Sequence, residues 1–82
     1  MNHKQKHTLD AILKEPVSGN IHWRDVESLL NALGAEIQVT HGARLHVILN
    51  RVEGTLHRPH HSSSLSKQDV RHLRHFLNSA GY

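Results

Sequence analysis

The sequence predicts a small two-layer α+β domain of order α-α-β-β-β-α, with a three-stranded antiparallel sheet beneath helices. Three observations predict it. The two ends of the chain space their apolar residues three and four apart, which is helical. Between residues 35 and 57 the period drops to two, that of half-buried strands. The connections there are tight, and 82 residues bury one small core, so residues 1–82 form a single domain.

HKQKHTLDAILKEP (3–16) carries Leu9, Ile12 and Leu13 at helical spacing, and Pro16 stops it. VSGN (17–20) reads as a loop. IHWRDVESLLNALG (21–34) is the clearest helix, with Val26, Leu29, Leu30 and Leu33 in one stripe and Gly34 suited to the left-handed residue after its end. Trp23 at its start is expected to pack over residues 17–22, with base stacking as the functional alternative. AEIQVT (35–40), RLHVIL (44–49) and VEGTLH (52–57) alternate apolar and polar residues as three strands. HGA (41–43) joins the first two. Asn50-Arg51 is the expected second turn, although arginine suits positive φ poorly, which leaves a longer turn as the alternative. Ser66-Lys67-Gln68-Asp69 has capping-box spacing, so a helix is expected over 67–79. It should bury Val70, Leu73, Phe76 or Leu77, and Ala80, with Gly81 ending it.

Composition narrows the function classes. Ten Lys and Arg against seven Asp and Glu give a formal charge of +3, and ten histidines add positive charge as pH falls. This suits a polyanionic partner. With no cysteine there is neither a disulfide framework nor a thiolate metal site. The polar Met1–Lys6 start and the lack of a long apolar run predict no signal peptide and no membrane span, with the cytoplasm as default compartment.

Strand periodicity places the chemistry. Leu45, Val47, Leu49, Val52 and Leu56 should point under the helices, and Arg44, His46, Thr55 and His57 the other way. A turn at Asn50-Arg51 sets Arg44 opposite His57 and His46 opposite Thr55. Arg58 and His60 follow just beyond the strand, in the segment LHRPHH (56–61). Two imidazoles and a guanidinium on a rigid sheet suit a phosphodiester: imidazole moves protons near neutral pH and arginine holds charge on phosphorus. Lys67, Arg71, Arg74 and His75 share a broad face of the last helix and are candidate phosphate contacts or simply its solvated side. A metal is the competing use of His57, His60 and His61, or of His72 and His75; the lack of cysteine or interspersed carboxylates argues against a native site.

Leu33-Gly34, the following strand, the loop closing on Gly42-Ala43-Arg44, the hairpin, His57-Arg58-Pro59-His60 and a last helix ending in Ala80-Gly81 together resemble the HicA toxin family, also called YcfA-like. The block HTLDAILKEPVSGNIHWRDVESLLNALGAE (7–36) and the HRPH motif are similar to one subset of it, and the resemblance spans nearly the whole chain. It implies a fold like that of double-stranded-RNA-binding domains. It also implies a toxin of a type II toxin–antitoxin system: an mRNA interferase that cuts without metal or other cofactor and is neutralised by a HicB-like antitoxin. The implied partners are mRNA and that antitoxin, with no membrane and no DNA bound by the chain on its own. In the family a histidine of a G-S-H motif at the start of the second strand is taken as the catalytic residue; this chain has Gly42-Ala43-Arg44 there, with Arg44 in the histidine's place. His46 lies two residues on, about 7 Å along the same face. The expected catalytic residues are therefore His57 and His46, with Arg44, Arg58, His60, Lys67 and Arg71 binding RNA phosphates and no metal ligand. A relative that binds RNA and antitoxin without cutting is the alternative.

Overall fold

A computed structural model of the chain describes residues 1–17, 20–40, 42–59 and 64–82. Among them, helices α1 (His3–Leu13), α2 (Trp23–Ala32) and α3 (Lys67–Ser79) and strands β1 (Glu36–Val39), β2 (Arg44–Leu49) and β3 (Val52–His57) follow the order α-α-β-β-β-α. The strands form one antiparallel sheet, β1-β2-β3. His60, one of the expected phosphate contacts, and His61 lie outside the described residues. None of the described helices is long and apolar enough to cross a membrane.

Each helix ends where its local chemistry requires. Asn2 starts α1 with a reciprocal box: its Oδ1 accepts from Gln5 N–H at 2.8 Å, and Gln5 Oε1 accepts from Asn2 N–H at 2.8 Å. The helix buries Ile12 completely, while Leu9 and Leu13 are only half-buried. It stops at Leu13, ahead of Pro16, and its last carbonyls are held from elsewhere. Arg74 Nε–H donates to Ile12 O at 2.8 Å, Nη2–H donates to Lys14 O at 2.7 Å, and Nη1 pairs with Glu15. Helix α2 buries Val26, Leu29 and Leu30. Gly34, at φ 88°, closes it: Gly34 N–H donates to Asn31 O and Ala35 N–H to Leu30 O, the paired bonds of a Schellman end. Helix α3 starts at Ser66, whose Oγ accepts from Asp69 N–H at 3.1 Å, and it buries both Phe76 and Leu77.

The sheet adopts the expected register, with Arg44 opposite His57 and His46 opposite Thr55. Asn50 (φ 51°) and Arg51 (φ 68°) form a tight two-residue turn, so the longer alternative is not adopted. Tertiary contacts hold arginine in this unfavourable region. Leu49, on one side of the turn, is buried, and Asn50 Nδ2–H donates to Ala80 O at 2.8 Å, tying the turn to the end of α3. Leu45, Val47, Leu49 and Leu56 are buried and Val52 half-buried, all on the helix side. Gly54 shares that side, where a Cβ would meet the ring of Phe76, 2.7 Å from Cε1. One core joins these residues to Ile12, the α2 stripe and the buried residues of α3.

A link that periodicity does not reveal closes the fold. Leu65 N–H donates to Ile21 O at 2.8 Å, and His22 bridges Ser64, so the entries to α2 and α3 run side by side. Trp23 consequently faces Leu56, Leu65 and Leu73 at the β3 end, while residues 18 and 19 of the expected loop contact lie outside the described residues.

Candidate nucleic-acid interface

The open side of the sheet is built from residues of even number in β1 and β2 and odd number in β3. The register arranges them in three rows. Glu36, Ile48 and Glu53 form the row nearest the hairpin turn; Gln38, His46 and Thr55 form the middle row; Arg44 and His57 form the last. The face therefore runs from acidic to basic. A polyanion is attracted to the Arg44–His57 end and repelled at the Glu36–Glu53 end.

Backbone hydrogen bonding shows how close the key pair is. Arg58 N–H donates to Ala43 O at 2.8 Å, so Ala43 and Arg58 are a hydrogen-bonded pair. The next pair, Arg44 and His57, is then of the non-hydrogen-bonded kind, whose Cα atoms are about 4.5 Å apart and whose side chains are closest. His46 and Thr55 are of the same kind. His46 lies diagonal to His57, with a Cβ separation of about 7 Å typical of that relation. Arg44 and His57 are exposed, and His46 is half-buried in the central strand.

The other expected contacts do not converge there. One residue past His57, the pleat turns Arg58 to the opposite side, where it lines a shallow depression with Gly42, Ala43 and Pro59. On α3, Lys67 lies one heptad before Arg74 and within about 20° of it around the axis. Arg74 is turned towards α1, so Lys67 and Arg71 project from the flank and outer side of α3, away from the open sheet face. Arg74 itself is bound to α1 carbonyls and is not a phosphate contact.

Sequence reasoning missed a second group. His72 lies about 160° around α3 from Arg74. Its Nε2 is 2.7 Å from Thr55 O; a carbonyl only accepts, so Nε2 carries the proton and donates. His57 borders a narrow notch with Trp23, Asp69 and His72, so the third-strand histidine is where the open face meets the α3 edge. The Asp69–His72 spacing of three was the available signal, but His72 paired more obviously with His75. Among the described residues no group of three or more His, Asp or Glu side chains is placed to hold a metal ion.

No family model matches the chain, and neither does any curated protein or solved structure.

Proposed function

We propose that this chain is a metal-independent endoribonuclease that cuts mRNA, a HicA-like toxin of a type II toxin–antitoxin system, acting in the cytoplasm and restrained by a HicB-like protein. One observation carries the reading: Arg44 and His57 stand side by side at the basic end of an open sheet face, with His46 one row further in. The helix-backed three-stranded sheet supports it further, as a layer like that of double-stranded-RNA-binding domains with an added N-terminal helix. In this mechanism one imidazole removes the 2′-OH proton and the 2′-oxygen attacks phosphorus. The bond to the 5′-oxygen breaks as the other imidazole protonates it, leaving a 2′,3′-cyclic phosphate and a 5′-OH. His46 and His57 stand diagonally across two strands with Cβ atoms about 7 Å apart, and a phosphate between them is within reach of both side chains. Arg44 neutralises the charge that gathers on the phosphoryl oxygens.

The test is cleavage of a labelled mRNA by purified protein in EDTA, with His57→Ala and His46→Ala alongside. Cutting should survive EDTA and fall by about 10²–10⁴-fold in either variant. Full activity in both variants would refute the assignment of these histidines. A second reading is favoured by Arg44, which stands where the family carries its histidine: a protein that binds RNA and antitoxin without turnover. RNA retention with no cleavage by the unmodified protein would select it.

A further inference from the structure

The two edges of the sheet are treated differently. In β3 the residues paired with β2 through hydrogen bonds are Val52, Gly54, Leu56 and Arg58, so Glu53, Thr55 and His57 direct their backbone groups to the free edge. That edge is occupied in part, because His72 donates to Thr55 O. The β1 edge has no such cover among the described residues. Thr40 N–H donates to Arg44 O at 3.1 Å, which makes Thr40, Gln38 and Glu36 the residues that bond to β2. The N–H and C=O groups of Ile37 and Val39 therefore face outward, with no partner among the described residues. Val39 is 62% exposed, the most open strand hydrophobe. Glu36–Val39 pairs with β2 without a bulge and carries neither proline nor lysine, and Glu36 is its one charge.

We propose that two copies of this chain join through β1, antiparallel about a two-fold axis, into one six-stranded sheet. One register satisfies the edge. With Gln38 on the axis opposite its own copy, Ile37 pairs with the partner's Val39 and Val39 with the partner's Ile37. All four outward backbone groups of each protomer then find partners, in four hydrogen bonds. The even register keeps both helix layers on the same side, and it covers each exposed Val39 with an isoleucine.

Charge also favours a second copy over an unrelated strand. In this register Glu36 lies opposite the partner's Thr40, and Thr40 is bonded to Arg44 in its own sheet. Glu36 and the partner's Arg44 are then two strand spacings apart, about 10 Å between Cα atoms, a gap their side chains span. The acidic row of each protomer thus continues into the basic row of the other. This inference does not depend on ribonuclease activity.

The test combines sedimentation equilibrium between about 10 µM and 1 mM protein with backbone amide exchange. The mass should rise from one chain to two with concentration. The Ile37 and Val39 amides should exchange more slowly as it does. Val39→Pro removes an outward N–H without touching a bond to β2, so it should give a folded monomer. Val39→Lys should weaken association by at least about tenfold, and serves alone if the proline variant unfolds. A single-chain mass at every concentration would overturn the proposal. So would a dimer unchanged by the folded variants, or one whose Ile37 and Val39 amides exchange as freely as in the monomer.

Discussion

Replacing Arg74 with alanine distinguishes an arginine that holds the fold from one that binds RNA. The side chain is only 15% exposed and serves three partners at the end of α1. Ile12 is fully buried, so losing the charged donor to its carbonyl costs about 1.5–3 kcal/mol. Lys14 is exposed, and water replaces the second bond at little cost. Glu15 is 72% exposed, so its ion pair contributes well under about 1 kcal/mol after screening. The expected loss is about 2–3 kcal/mol, which lowers the melting temperature of a domain this size by roughly 10–20 °C. Arg74→Lys should recover less than half, because an ammonium lacks the planar fork that reaches separated acceptors. Calorimetry measures the stability change. RNA affinity as a function of salt, measured where the variant is folded, supplies the control. The slope should be unchanged in Arg74→Ala and should fall by about 0.7 in Arg44→Ala, one phosphate contact on a single strand. Unchanged stability in Arg74→Ala, or a slope reduced as in Arg44→Ala, would refute the assignment.

Gly54→Ala places a methyl group in the Phe76 ring; overpacking should outweigh the gain in strand propensity and cost about 1–2 kcal/mol net. Urea unfolding should show Phe76→Leu relieving most of that cost in the double variant. Arg51→Gly puts the preferred residue at a positive φ and should stabilise the hairpin by about 1 kcal/mol, raising the melting temperature about 4–8 °C. Lys67→Ala and Arg71→Ala remove charges on the far side of α3 and should leave RNA cleavage in EDTA within about twofold of the unmodified protein.

The site was legible in proportion to its locality. A two-residue turn and strict alternation put Arg44 opposite His57 using nothing beyond positions 44–57, because antiparallel register follows from the turn. Residues on different elements were harder to place. Lys67, Arg71 and Arg74 share one broad face in sequence, but which neighbour a helix face meets depends on how the helix is rotated against the sheet. Burial of Phe76 and Leu77 together sets that rotation, turning Arg74 to α1 and His72 to β3. The position of Trp23 beside Leu65 depends on the pairing of Ile21 with Leu65, which joins segments more than forty positions apart that no periodicity connects.

The element order, the three strands and their register, and the orientation of Arg44, His46 and His57 to one side all follow from local sequence. These depend on apolar period, caps and turn length, which act over a few residues. Packing between elements set which cations stay free. It withdrew Arg74 to close α1 and drew His72 to the β3 edge. It also held Arg51 in a turn that its own preference opposes, through core packing and the bond from Asn50 to the end of α3. Such choices belong to the packed core, because a single rotation of α3 moves every charge on its surface at once.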